Sequence, residues 1–386
     1  MTGQAALYLA SADDVHAARS RVAGRPVAFR VLVSAVRAGV RRVGVPAALR
    51  SPDFEAALAT SPRARAVVAW LDTPNALSDG PTLLLPAAAL VPSRDLARLR
   101  EAKPGAVLSE SLSADAPVIS ADAGLLEQVH EPLVAGAPLG DTLMRMLKQR
   151  EAEPVVGDGW YVRVTGPRSA AEAERRLYGD LGSPIDTRLD IALHRRLSRP
   201  LSRTAVALGI SPNAITITSG VVGLTAAVVV ALGTPAALIG GLLLYVLAVV
   251  LDHADGEVAR LTLTESALGE WLDVMADTVV HASLMLALGL AASRLAGASH
   301  LIGVVAAIGI GISAVIGKLF PPAPAAASRH LLDRLTSRDG FYVMFTLFVA
   351  LGLFRPTILP AFIVMVAVSS HVYWVARAIV LIVGRR

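Results

Sequence analysis

Between residues 251 and 277 the chain reads LDHADGEVARLTLTESALGEWLDVMAD, which sets Asp252, Asp255, Asp273 and Asp277 among apolar residues. The first pair is spaced by three residues and the second by four. Either interval brings side chains to one face of a helix, so two consecutive antiparallel helices can turn four carboxylates toward one another. Bare carboxylates beside hydrocarbon are costly, and four together repel. Divalent cations relieve both costs. An all-carboxylate donor set suits Mg2+ or Mn2+ better than zinc, and two such ions can grip a diphosphate and stabilise the charge that moves through it. The competing reading is that each acid caps a helix or pairs with arginine at a membrane surface, although Arg260 is the only basic residue between the two groups.

Small residues flank the acids. Gly256 follows Asp255, Gly269 precedes Asp273 by four positions and Ala259 lies one turn beyond Asp255. Glycine within a helix serves close packing or a kink; beside a carboxylate cluster it also leaves room for a bulky ligand. Arg260 then supplies a cation within reach of phosphate or a nucleobase. His253 falls on a different helical face from Asp255 and is read as a packing residue, and Trp271 as an interface anchor.

These residues need a membrane scaffold. Of the 386 residues, 54% are hydrophobic and 17% charged, with a mean hydropathy of +0.57, an excess too large for one soluble core. Six spans are expected, at 214–232, 235–258, 268–293, 300–319, 339–354 and 357–382, the fifth being short of the roughly 20 residues that cross a bilayer. The inner connections would carry Arg260, Lys318, Arg329, Arg334 and Arg338, and the tail Arg385 and Arg386, against Arg294 and Arg355 outside. That bias predicts a multi-pass protein of the cell membrane with both termini, the front domain and the acidic cluster on the cytoplasmic side. The net charge of +5 then reflects basic residues beside anionic lipid head groups, with no nucleic-acid partner expected. The absence of cysteine excludes disulfides and a thiolate nucleophile.

Residues 1–180 are expected to fold as a cytoplasmic α/β domain. Short apolar runs at 6–9, 43–45, 67–71 and 82–85 alternate with helical periodicity, as at 27–36, which predicts a largely parallel sheet. The start lacks a basic leader and an uninterrupted apolar core, so no signal peptide is expected. Residues 181–210 are a juxtamembrane segment rich in arginine, with 186–208 a helix or broken helix at the membrane surface. Residues 211–386 form the transmembrane domain.

The run from Asp252 through Asp255, Gly256, Ala259, Arg260, Gly269 and Asp273 to Asp277 resembles the signature of the CDP-alcohol phosphatidyltransferases, with every constrained position present. The resemblance implies an all-α domain of six transmembrane helices, commonly homodimeric. It also implies an enzyme that displaces CMP from a CDP-linked donor with an acceptor alcohol, in phospholipid or polar-lipid precursor synthesis, using two divalent ions. By the same resemblance Asp252, Asp255, Asp273 and Asp277 are the metal ligands, Asp277 is also the general base, and Gly256, Ala259, Arg260 and Gly269 line the CDP site with Asp252. The segment Ser211-Pro-Asn-Ala-Ile-Thr216 is similar to the family's opening of the first span, where Thr216 approaches the cytidine. The chemistry agrees with the residue types: an alcohol needs a neighbouring base or metal, departing CMP needs its charge neutralised, and one displacement suffices without a protein nucleophile.

The front half resembles a nucleotidyltransferase. Residues 25–45 are similar to the segment in which such domains run from a Gly-(Lys/Arg)-Pro turn through a helix and a glycine to the next strand. Two departures mark it as degenerate. Ala10-Ser-Ala-Asp-Asp14 stands where a glycine-rich, basic phosphate loop belongs, and the strand at 82–85 runs into Pro86-Ala-Ala where an acid would help hold magnesium. With the linker 159–167 and the segment 197–203, the arrangement resembles the fused inositol-phosphate cytidylyltransferase and di-inositol phosphate phosphate synthase proteins.

That likeness raises a phosphorylated inositol as an alternative acceptor, with Arg195, Arg199, Lys318 and Arg338 gathering its phosphate; all four are equally accounted for as interfacial cations. The alternative of another class is a polytopic transporter with a divalent-cation site. Transport acids lie near the midplane on interrupted helices, and a channel's form symmetric rings, and neither explains the interleaved small residues and arginine.

Overall fold

The computed structural model describes residues 3–78, 80–181, 195–320 and 338–383. It divides into two compact units, one of Met1–Pro184 with Arg203–Gly209 and Ala259–Thr264, the other of Ile185–Ser202, Ile210–Val258 and Glu265–Arg386. The first is mixed α/β and the second is almost entirely helical.

The α/β unit is built on a sheet of β1 (Gln4–Tyr8), β2 (Arg42–Val45), β3 (Val68–Trp70), β4 (Thr82–Pro86), β5 (Val107–Leu108), β6 (Ile119–Ala121) and β7 (Pro154–Val155). Their order is β7-β5-β6-β4-β1-β2-β3. β1 pairs in parallel with both β2 and β4, β2 with β3 and β5 with β7, whereas β6 is antiparallel to β4 and β5. Helix α1 (Val27–Arg37) makes the crossover from β1 to β2, as a parallel pair requires. Period-two alternation divides the strand side chains between two cores. Ala5, Leu7, Leu83 and Leu85 pack with Phe29 and Leu32 of α1; Ala6, Tyr8 and Leu84 face Leu125, Leu126 and Leu133.

The helical unit contains α2 (Arg195–Leu208), α3 (Pro212–Ala231), α4 (Pro235–Thr262), α5 (Ala267–Ala296), α6 (Leu301–Leu319), α7 (Arg338–Phe354) and α8 (Ile358–Val383). The last turns of α2 and α4 fall in the other unit's residue set. Among the described residues five helices, α3, α4, α5, α6 and α8, are long and apolar enough to cross a membrane, and the apolar part of α7, Phe341–Phe354, is shorter. Of the expected surface helix at 186–208, the part before residue 195 lies outside the described residues.

The starts follow local chemistry. Ser211 accepts from the Ala214 amide ahead of α3, which has proline in its first turn, and Ser266 accepts from the Gly269 amide ahead of α5, each satisfying a donor that the helix leaves over. Lipid offers no hydrophobic advantage to helix association, so close backbone approach takes over. A Cβ on Gly303 of α6 would stand 2.5 Å from the Met285 carbonyl oxygen and 3.0 Å from Gly289 Cα, both on α5. Aromatic rings complete the core: Tyr245 meets Phe345 edge-on at 4.9 Å, a favoured arrangement.

Candidate active site

Helices α4 and α5 run to 28 and 30 residues, about 42 and 45 Å at ~1.5 Å per residue, against roughly 30 Å of hydrocarbon. Each is therefore long enough to cross a bilayer with turns to spare, and the acids lie toward the ends joined by the α4–α5 connection. There Asp252 and Asp255 of α4 and Asp273 of α5 bring carboxylate oxygens within 4.8 Å of one another, with Asp255 buried and the other two half-buried. The pair spaced by three thus meets one acid of the following helix, and three of the four expected carboxylates come together. Three hard oxygen donors in so small a volume fit one divalent cation such as Mg2+ or Mn2+.

Asp255 is fixed from a third helix. Thr216 of α3 places its hydroxyl 2.5 Å from Asp255 Oδ2 and 3.1 Å from the Pro212 carbonyl. Its single proton serves the Asp255 carboxyl, the nearer acceptor. The sequence assigned Thr216 to the nucleotide and gave no sign of this bond. Asn213, in the same opening segment, lies beside Gly269, where a Cβ would stand 3.1 Å from its Oδ1 and 3.2 Å from Ser266 Oγ. Glycine here preserves a close approach between the starts of α3 and α5.

Asp277 is half-buried and lies outside the group of three. With Asp252 it lines a small cavity, about 30 Å³ to a water-sized sphere, that also touches Ser219, Tyr245, His281 and Tyr342. One turn beyond Asp277, His281 shares a hydrogen bond of 3.0 Å with the Tyr245 hydroxyl and lies 4.2 Å from the Phe341 ring. The histidine–tyrosine pair was missed at the level of sequence because its partners stand 36 residues apart. His253 bonds through Nδ1 to the Val249 carbonyl at 2.8 Å, one turn back on its own helix. Trp271 is exposed.

Gly256 is half-buried on α4, and so are Ala259 and Arg260, which belong to the first unit's residue set. The Nε of Arg260 is buried with no hydrogen-bond partner among the described residues. Of the cations considered for an acceptor phosphate, Lys318 pairs with Glu270 at 2.5 Å and Arg199 is half-buried on α2. The side chains of Arg195 and Arg338 lie outside the described residues.

In the α/β unit, the loop after β1 is closed by Asp14. Its carboxylate is buried and accepts from the Ala10 amide at 2.8 Å, from Ser11 Oγ at 2.8 Å and from Arg163 at 2.9 Å. The same guanidinium donates to the Ala114 carbonyl at 2.9 Å. A carboxylate at this place repels an incoming phosphate.

Residues 209–328 match the model of the family described as CDP-alcohol phosphatidyltransferase, so the chain carries a domain of that family over this segment. The chain is similar to the CDP-diacylglycerol–serine O-phosphatidyltransferase of Mycobacterium leprae (strain TN), with 43% identity over 82 residues, which are 21% of this chain and 26% of that protein. The chain thus spans about a quarter of that relative's length. Among solved structures it resembles the phosphatidylinositol phosphate synthase PgsA1 of Mycobacterium tuberculosis, crystallised with CDP-DAG bound, at 17% identity and a TM-score of 0.39, over 47% of this chain and 92% of that one.

Proposed function

We propose that the chain is a membrane-embedded phosphotransferase that moves a substituted phosphate from a CDP-linked alcohol to an acceptor alcohol and releases CMP, in the synthesis of phospholipids or their polar precursors. The observation that carries this reading is the meeting of Asp252, Asp255 and Asp273 within 4.8 Å, inside the segment that matches the family. Asp252, Asp255, Asp273 and Asp277 are the metal ligands in this reading, and two divalent ions, when bound, neutralise the donor's diphosphate and the departing CMP.

The chain's own residues do the rest. Thr216 holds Asp255 in one orientation, and Gly256, Ala259 and Gly269 leave space for the nucleotide half of the donor, with Arg260 offering its guanidinium. Asp277 removes the proton from the acceptor hydroxyl, whose oxygen then bonds to the phosphorus bearing the non-CMP substituent. The bond from that phosphorus to the bridging oxygen breaks, and its electron pair leaves with CMP. The cavity shared by Asp252 and Asp277 supports a place for the acceptor beside the base. A phosphorylated polyol such as an inositol phosphate is the acceptor in the narrower version of this reading, with Arg195, Arg199, Lys318 and Arg338 as its phosphate ligands.

In this reading α7 completes six spans, both termini and the acidic cluster face the cytoplasm, and the enzyme works as a homodimer in the cell membrane. The front unit is a degenerate nucleotidyltransferase-like domain used for docking or stability, a role supported by Asp14 and Arg163 filling the loop after β1. The test is a CMP-release assay on the purified full-length protein with a panel of CDP-linked donors and acceptor alcohols, with the product's mass determined. Metal-dependent CMP release matched by a phosphodiester product is expected. No release with any donor, or transport of a donor without its cleavage, overturns the proposal.

A further inference from the structure

One buried acid near the cluster has no part in the proposed chemistry. Glu257 is two residues beyond Asp255, about 200° around the helix, so it leaves α4 on the opposite side. It is 2% exposed. Each of its oxygens has its own donor from α2, Ser198 Oγ at 2.9 Å from Oε1 and Ser202 Oγ at 2.5 Å from Oε2. Both serines are wholly buried, and their spacing of four puts them on one face of α2. Ser202 Oγ also lies 3.5 Å from the Ala254 carbonyl, the residue before Asp255.

A buried carboxylate bound, among the described residues, by hydroxyls alone is a poor way to gain stability, since apolar side chains of similar size commonly serve as well or better. What it supplies is geometry. Two bonds from one carboxylate to two successive turns of α2 oppose both rotation and sliding of α4. The metal-ligand face is the front of the same helical segment. About 100° around α2 from the serines, Leu197 and Leu201 stand at 47% and 37% exposure, on a helix to which the sequence gives Arg195, Arg196 and Arg199. Apolar side chains flanked by arginine fit an anionic lipid surface.

We propose that Glu257 is a positioning residue through which α2, resting on anionic lipid, holds the metal-ligand face of α4 in register. The proposal rests on the metal site of the preceding section and is tested by metal binding, not by turnover. Mn2+ is titrated by electron paramagnetic resonance into the full-length protein, in nanodiscs of phosphatidylcholine alone or with phosphatidylglycerol. The parent should bind Mn2+ more tightly in the anionic discs. Glu257→Ala should weaken binding roughly 10-fold, the low end for residues that orient metal ligands, and Glu257→Gln, which can still bond both serines, should restore it to within a few-fold. The decisive variant is the triple Ser198→Ala, Ser202→Ala, Glu257→Leu, which replaces the polar contact with apolar packing and keeps the fold. It should bind Mn2+ as weakly as Glu257→Ala and lose the dependence on phosphatidylglycerol. Parental affinity in the triple variant overturns the positioning role, and a parent indifferent to phosphatidylglycerol overturns the coupling to lipid. A parent that binds no Mn2+ removes the metal site itself and the positioning role with it, which separates that failure from the other two.

Discussion

The Thr216 hydroxyl, 2.5 Å from Oδ2 of the buried Asp255, ties the start of the first membrane helix to the carboxylate farthest from water in the acidic cluster. Thr216→Val keeps the shape and removes the donor. Outer partners of this kind contribute about 10- to 100-fold to metal affinity. Mn2+ binding should therefore weaken by at least about 10-fold in Thr216→Val and stay within a few-fold in Thr216→Ser. Asp255→Asn should abolish both binding and CMP release while the protein still inserts into membranes. Full activity of Asp255→Asn at saturating Mg2+ would remove the carboxylate cluster from the mechanism.

Asp277 should behave differently from the three clustered acids. Asp277→Asn retains hydrogen bonding but cannot take the acceptor's proton. Single-turnover CMP release should fall by about 10²-fold or more, with donor affinity in Mg2+ within a few-fold of the parent. A parental rate with an unchanged pH profile would mean that Asp277 is not the base. Joint collapse of donor and metal binding would assign it to coordination.

The front unit should not consume CTP. With Asp14 seated in the loop after β1 and bonded to Arg163, the full-length protein incubated with CTP, Mg2+ and a panel of polyol phosphates should release no pyrophosphate. Metal-dependent formation of a CDP-linked compound would show a working nucleotidyltransferase.

Two phenols make the front unit sensitive to alkali. Burial, with the nearby Tyr161 and Asp14 charges, holds the Tyr8 hydroxyl well above its usual 10.0 despite Arg163. Burial likewise raises Tyr161, which Arg163 opposes and Asp14 supports. Their hydroxyls donate to the carbonyls of Pro117 and Ala116, each at 2.7 Å. Below about pH 10 both phenols keep their protons folded or unfolded, and their stabilising contribution is fully present. Above it the unfolded chain gives up protons that the folded unit retains, so stability falls as pH rises, by up to about 1.4 kcal/mol per pH unit for each tyrosine. Tyrosinate absorbance should appear together with loss of near-ultraviolet dichroism from the α/β unit. Tyr8→Phe should shallow the pH dependence and cost about 1–3 kcal/mol at neutral pH, because the Pro117 carbonyl is left buried without its donor. Ionisation of both phenols at ordinary pH with the fold intact would contradict this account.

Much of this was legible in sequence where periodicity or spacing carried it. The runs at 6–9, 43–45, 67–71 and 82–85 correspond to β1 to β4, and the periodic segment at 27–36 to α1. Strands β5, β6 and β7 have only two or three residues each, too few to display a period, and two antiparallel pairings with β6 enter a sheet expected to be largely parallel. At the candidate site, spacing brought out the acids because the helical repeat is local information. The hydroxyls around them were hidden: Thr216 stands 39 residues from Asp255, and Ser198 stands 59 from Glu257. No local pattern records a bond across that distance, and serine and threonine are common enough in helices to attract no notice.

The length of α4 and α5 also bears on the bilayer that surrounds them. Each exceeds the hydrocarbon by about 12–15 Å, and on α5 the surplus falls at the acid-bearing end, since Arg294 stands just before the opposite terminus at Ala296. Asp277 is ten residues from Ala267, about 15 Å along the axis, which sets it at the rim while Asp273 stands clear. Asp252 is likewise ten residues from the end of α4 at Thr262, so acyl chains only a few ångströms longer would bring the hydrocarbon boundary up to Asp252 and Asp277 before Asp255 and Asp273. Hydrophobic mismatch would then be felt first by the inner carboxylate of each pair, making membrane thickness a variable to which the acidic cluster answers.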